Sequence, residues 1–132
     1  MGTWGSGIYE NDSARDYMNG VINNLSNMVK DIMRWDSILL HLGMVHSSLV
    51  MCHIDMLIAI CGRNSLHTSL PETTIIKEWK AKYMEIWNFC IDECSPTIEY
   101  KKQRAKVLEK NFNDLIALAK RRDNDDNINS NK

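Results

Sequence analysis

Glycines and carboxylates are concentrated at the start of the chain, where the residue types could support chemistry. They are Gly5, Gly7, Glu10, Asp12 and Asp16, together with the amide of Asn11. Asp12 and Asp16 are four residues apart, so on a helix they would share one face and could form a metal-binding or acid–base pair. Such a pair needs a pocket and shifted pKa values, and the sequence indicates neither. We therefore favour a structural role, in which Asn11 or Asp12 caps a helix and the acids complement its dipole.

A second candidate is Asp55, the only charged residue in a long apolar segment that is predicted to be helical. A buried charge must be paired or hydrogen-bonded, so this carboxylate would need a partner. It could bind a ligand, or it could hold the glycine-containing N-terminal segment against the rest of the protein. We favour the second interpretation, with Trp4 as the apolar anchor of that segment.

The four cysteines, Cys52, Cys61, Cys90 and Cys94, all lie in apolar helical patterns. We expect them to be buried free thiols. Cys90 and Cys94 are four residues apart and could share a zinc ion with two histidines, but they lack the C-x-x-C spacing of common zinc sites. Phosphate loops, dinucleotide-binding fingerprints and hydrolase motifs are missing from the sequence. We therefore predict no catalytic residue, no metal and no cofactor.

Composition limits the classes of partner. The chain has 132 residues and a formal net charge of −1, with 16 basic and 17 acidic side chains. That balance leaves no basic excess with which to neutralise a phosphate backbone, which disfavours direct nucleic-acid binding. The apolar segment from Ile38 to Cys61 contains three histidines and Asp55, and an acid near the membrane centre would cost about 3 kcal/mol. We expect this segment to be a buried helix of a protein without membrane association.

Apolar residues at helical spacing must position these groups, and their pattern predicts four helices. The predicted domain covers residues 1–122 and is an all-α, antiparallel four-helix bundle with the N-terminal arm packed on it. The second helix is apolar nearly all round, so we expect other helices to surround it. The predicted segments are the arm 1–11, helices at about 13–34, 37–61, 72–94 and 97–121, and a disordered tail 123–132.

The opening residues Trp4 to Asp16 follow the pattern Trp-Gly-x-Gly-x-aromatic-x-Asn-Asp-x-Ala-x-Asp. This pattern resembles the bacterial family catalogued as domain of unknown function 4259. The similarity continues weakly through Asp55, a Leu-Pro pair at Leu70 and Pro71, and Trp79. The resemblance implies a small, single-domain, cytoplasmic bacterial protein. Motif-poor helical proteins of this size are also similar to immunity proteins that are encoded beside secreted toxins.

From this resemblance and the lack of catalytic motifs we expect a non-catalytic binding protein. The leading hypothesis is an immunity protein, monomeric when free, that neutralises a cognate toxin, for which we expect a nuclease. Acidic side chains could replace the phosphates of a nuclease's substrate and steer association. The candidate partner-binding residues are Glu10, Asp12, Glu85, Asp92 and Glu93. Two alternatives stay open: a small-molecule or metal-binding domain or unrecognised enzyme with a pocket near Trp4 and Asp55, and a structural oligomer.

Overall fold

The computed structural model describes residues 2–3, 5–34, 45–63 and 66–130. In these residues the chain forms four α-helices packed as a bundle, which confirms the predicted all-α fold. Two short 3₁₀ helices, Leu66–Ser69 and Ile91–Cys94, flank the third helix. The α-helices are α1 Asp12–Arg34, α2 Val45–Cys61, α3 Thr73–Cys90 and α4 Ile98–Ser130.

The helices form because each presents an apolar stripe to the bundle. Buried side chains repeat at intervals of four and three residues, the spacing at which one helix face meets its neighbours. We refer to these as the core positions of the bundle. They are Ile22, Ser26, Val29 and Met33 in α1; Val50, Ile54, Leu57 and Cys61 in α2; Ile76, Trp79, Tyr83, Trp87 and Cys90 in α3; and Leu108, Phe112, Leu115 and Ala119 in α4.

Helices α3 and α4 run antiparallel, as contacts along their length demonstrate. In the core the ring centroids of Tyr83 and Phe112 are 5.6 Å apart and tilted by 52°, an arrangement that aromatic pairs favour. Nearer the surface Lys80 donates a hydrogen bond to Asn113, at 2.8 Å. The 3₁₀ helix that follows α3 ends where Ser95 adopts a left-handed conformation with φ 48°, so the chain can turn back into α4.

Helix α2 differs from its prediction. Its described part begins at Val45, and residues 37–44 of the predicted helix lie outside the described residues. Within α2 one face is exposed to solvent, so the expectation of a helix surrounded on all sides is wrong. The reason is that α2 packs mainly on α1 and α4, which cover only two of its sides. Among the described helices, none is both long and apolar enough to span a bilayer.

The end of α4 also differs from its prediction. We expected a disordered tail from residue 123, whereas α4 continues to Ser130. Thr73 Oγ1 donates a hydrogen bond of 2.5 Å to the Asp123 carboxylate, and His67 Nε2 lies 2.9 Å from the Asp125 carboxylate. Asn and Asp are weak helix formers, so these tertiary contacts hold a segment that its composition would leave unfolded.

Candidate functional site

The glycines of the N-terminal arm make room for a carboxylate. The backbone N–H of Gly7 donates a hydrogen bond to Glu10 Oε2, at 3.1 Å. A Cβ atom on Gly5 would lie only 1.5 Å from the same oxygen. The Glu10 side chain therefore folds back over Gly5 and Gly7 and occupies space that a side chain on Gly5 would take.

The arm joins α1 through a helix cap. Asn11 Oδ1 accepts a hydrogen bond of 2.8 Å from the backbone N–H of Ala14, so Asn11 is the N-cap, one of the two predicted candidates. Thr3 and Asn11 form an isolated antiparallel bridge, and the Asp12 N–H donates to the Gly2 carbonyl at 2.7 Å. These bonds hold Gly2 and Thr3 beside the start of α1.

The arm contains no evident chemical site among its described residues. Asp12 and Asp16 are both exposed at the start of α1, where acids complement the helix dipole. Ile8 is 81% exposed, whereas Tyr9, among the described arm residues, packs against the core. Trp4, the predicted anchor, lies outside the described residues. Glu10 and Asp12 thus serve the loop's own geometry.

The prediction of a buried Asp55 is wrong. Its side chain is exposed on the outer face of α2, which it shares with Cys52 and Ala59. The buried stripe of α2 consists instead of its core positions, on the opposite side of the helix. Asp55 therefore does not need a buried partner.

Three of the predicted partner-binding acids lie together at the C-terminal end of α3, around an aromatic ring. Phe89 is 81% exposed. Glu85 lies four residues before it, and Asp92 and Glu93 lie three and four residues after it. Such spacing places all three carboxylates within about one helical turn of the ring. All three are exposed, and we call Glu85, Phe89, Asp92 and Glu93 the α3 acidic surface.

Asp92 connects the α3 acidic surface to the neighbouring helix through a charge contact. Lys101 of α4 donates a hydrogen bond of 2.8 Å to Asp92 Oδ1. This pair is solvent-exposed, so it contributes little to stability, at most about 1 kcal/mol. Its effect here is to orient Asp92 and to link the surface to the start of α4.

The remaining two predicted acids lie elsewhere. Asn19 of α1 accepts a hydrogen bond from Ser69, which lies four residues before the start of α3, so the arm and the beginning of α3 are at one end of the bundle. Helix α3 has 18 residues and is about 27 Å long. Glu10 and Asp12 are therefore at the opposite end from Asp92, and the five acids do not form one site.

Sequence inspection overlooked Phe89 because the residue does not belong to the apolar stripe of α3. The position of Phe89 outside this stripe can be read from the sequence and indicates an exposed ring. A large aromatic residue on the polar face of a helix, between acids at spacings of three and four residues, cannot be buried by the same packing that buries the stripe.

The described cysteines and histidines do not assemble a metal site. All four cysteines are free; Cys61 and Cys90 are buried as predicted, whereas Cys52 and Cys94 are exposed. Cys90 and Cys94 thus have different surroundings despite their helical spacing. Across the described ranges no three His, Cys, Asp or Glu side chains are grouped closely enough to hold a metal ion.

Two buried groups have raised pKa values. Desolvation raises the pKa of the Cys61 thiol to about 12, so this thiol is protonated at neutral pH and is a poor nucleophile. Burial also raises the pKa of Tyr83 to about 12, against an opposing effect of the Arg104 charge. The Tyr83 hydroxyl donates a hydrogen bond of 3.1 Å to the carbonyl of Ser47. Both groups belong to the core.

Comparisons of this chain with protein-family models, with curated proteins and with solved structures find no match. The resemblance of the opening residues to the domain of unknown function 4259 family therefore stays a prediction.

Proposed function

We propose that this chain is a non-catalytic binding protein that engages a basic protein partner through the α3 acidic surface. The observation that carries the proposal is the exposure of Phe89 within one helical turn of three carboxylates. Glu85 lies one turn before the ring on the same face of α3, and Asp92 follows the ring by three residues, in the 3₁₀ helix that continues α3.

The ring supplies a source of affinity. Burying a phenylalanine side chain contributes roughly 1.5–3 kcal/mol, and this contribution is available at Phe89 only when a partner covers it. Aromatic side chains at the centre of an interface, with polar groups around them, commonly dominate binding energy. A single exposed aromatic is ordinary on a protein surface, so the surrounding charges are what make this one a candidate.

The carboxylates determine which kind of partner binds. Acids at the edge of an interface accelerate encounter with a positively charged surface and disfavour wrong partners. The net charge of the whole chain is only −1, so the cluster of acids on the α3 acidic surface is a local feature. A partner of matching chemistry presents an apolar pocket edged by Lys or Arg.

A nuclease active site is a basic surface of this kind, because it binds a phosphate backbone. We therefore propose that the chain acts in the bacterial cytoplasm as an immunity protein that blocks a cognate nuclease toxin. In this proposal Glu85 and Glu93 occupy positions that substrate phosphates would take, and Phe89 enters a neighbouring apolar depression. The chain itself binds no nucleic acid and is a monomer before it meets the toxin.

A structural oligomer is the second candidate, and a separate apolar surface favours it. Met28 is 50%, Leu49 37% and Met56 41% exposed. Two of them contact His53, whose Nε2 lies 3.3 Å from Met28 Sδ and whose Nδ1 lies 2.6 Å from the Leu49 carbonyl. Light scattering separates the candidates, because a free monomer of 15.3 kDa supports the immunity protein and a stable dimer supports the oligomer.

The test is co-expression with the protein encoded by the adjacent reading frame. We expect that protein to inhibit growth alone, and to form an inactive one-to-one complex with this chain. Association should slow as salt is raised, because rim charges act through encounter.

Charge reversal then locates the surface. Glu85→Lys should slow association, and Glu109→Lys, an exposed acid on α4, is the matched control. Equal association rates for the two variants, or a neighbouring protein that is neither toxic nor bound, would contradict the proposal.

A further inference from the structure

A polar cleft of about 320 Å³ lies on the side of the bundle formed by α1 and α3, apart from the α3 acidic surface. Its volume is near the lower end of the range of small-molecule sites, about 300–1,000 Å³. Neither Asp55 nor the arm is among its described lining residues. Its walls include Asn23, Ser26, Asn27 and Lys30 of α1, Glu72 before α3, and Trp79 of α3.

The cleft coincides with an exception in the core. Every other core position of α1 has a large apolar side chain, whereas Ser26 has a hydroxyl. Ser26 lies between Ile22 and Val29 on the buried stripe and is only 5% exposed. A small residue at this position leaves space that a leucine or isoleucine would fill.

The Ser26 hydroxyl is also unsatisfied. Its Oγ is buried and has no hydrogen-bond partner among the described residues. A buried hydroxyl without a partner costs about 1–3 kcal/mol, so such groups are rare outside functional sites. Rotation of the Ser26 side chain toward the cleft, where an occupant would hydrogen-bond to this oxygen, would remove that cost.

The charges of the cleft indicate what the occupant is. Three of the described residues that line the cleft are charged: Lys30 of α1, Glu72 of the segment that leads into α3, and Arg122 of α4. Arg122 is paired with Asp123, at 3.3 Å. Lys30 and Glu72 are therefore the opposite charges that separate walls offer to an occupant. The amides of Asn23 and Asn27 can both donate and accept hydrogen bonds. The Trp79 ring adds an apolar contact.

We propose that this cleft binds a free polar amino acid. Its carboxylate pairs with Lys30 and accepts a hydrogen bond from Ser26, and its ammonium group pairs with Glu72. The two asparagine amides hydrogen-bond to the polar side chain of the bound amino acid. This site does not depend on the proposed binding of a toxin.

The test uses the purified full chain and a panel of the polar L-amino acids, each at up to about 10 mM, where even a millimolar site is filled. We expect at least one, with L-glutamine as the first probe, to raise the Tm by a few degrees and to change tryptophan fluorescence. The N-acetylated and methyl-ester forms of the same amino acid should bind about tenfold more weakly, because each has lost one charge.

Variants distinguish binding in the cleft from general effects of solutes. Ser26→Ala should leave the protein folded, because it removes an unpartnered hydroxyl, yet weaken binding several-fold. Lys30→Gln should weaken binding about tenfold, whereas Lys77→Gln, an exposed lysine of α3 outside the cleft lining, should not. The proposal is overturned if no amino acid in the panel binds, or if binding is unchanged in both Ser26→Ala and Lys30→Gln.

Discussion

Removal of the last helical segment offers a direct test of how α4 is held. A chain that ends at residue 122 lacks two carboxylates that contact the rest of the protein. Asp123 accepts a hydrogen bond from Thr73, and Asp125 lies 2.9 Å from His67 Nε2. A chain that ends at residue 125 retains both and serves as the matched control.

The expected loss can be worked out from these two contacts. Hydrogen bonds to charged groups contribute about 1.5–3 kcal/mol each when buried. The side chains of Asp123 and Asp125 are 37% and 50% exposed, so solvent screening reduces each contribution to about 1 kcal/mol. The truncation at residue 122 should therefore lower the free energy of unfolding by about 2 kcal/mol. For a chain of this size that corresponds to a Tm decrease of roughly 6–10 °C.

The measurement is urea unfolding at pH 7, followed by far-ultraviolet circular dichroism. We expect the chain that ends at residue 125 to match the full chain within about 0.5 kcal/mol. The double variant Asp123→Asn, Asp125→Asn should reproduce most of the loss without shortening the helix. If both truncations are as stable as the full chain, the contacts do not stabilise α4 and the segment behaves as the disordered tail that its composition suggests.

Three further predictions concern the helices and the core. Gly20→Ala should stabilise the protein by about 0.5–1 kcal/mol in urea unfolding, because a Cβ there meets nothing within 4 Å and α1 loses a flexible residue. Asn11→Ala should cost about 1 kcal/mol in the same assay through loss of the N-cap, and Asn11→Asp should restore most of it. The folded-state pKa of Tyr83, about 12, is above its unfolded value of about 10, so this hydroxyl contributes stability below pH 10 that is lost as pH rises through 12. The free energy of unfolding, measured by denaturation at pH values between 8 and 11, should accordingly fall more steeply with pH in the unsubstituted protein than in Tyr83→Phe.

The fold was predictable because it depends on periodicity. Apolar residues at helical spacing located α1 and the stripes of α3 and α4, and Asn11 was recognisable as a cap from its position before the first apolar residue. The glycines of the arm were recognisable as sites of close approach. What could not be predicted was that the groups approaching Gly5 and Gly7 belong to Glu10, since that depends on how the loop closes.

The errors share a physical cause, which is that composition does not report which side of an element is covered. Helix α2 is rich in apolar residues, yet a helix in a four-helix bundle packs on only two neighbours, so Asp55 lies on the uncovered side. Nine of the last ten residues are polar, yet Asp123 and Asp125 find partners far away in sequence. The unsatisfied Ser26 is also invisible in the sequence, where it resembles any serine on a polar helix face.

Affinity measurements on two variants test most directly whether binding of the partner depends on Phe89. Phe89→Ser removes the exposed ring of the α3 acidic surface, whereas Tyr17→Ser removes a ring that is 72% exposed on α1. Both should leave stability nearly unchanged because both rings are exposed. We predict that Phe89→Ser raises the Kd for the protein from the adjacent reading frame by roughly 30- to 100-fold, as expected for loss of a central aromatic contact. Tyr17→Ser should leave that Kd within about twofold, as expected for a side chain outside the interface. Unchanged affinity in Phe89→Ser, or an equal loss in Tyr17→Ser, would contradict this account.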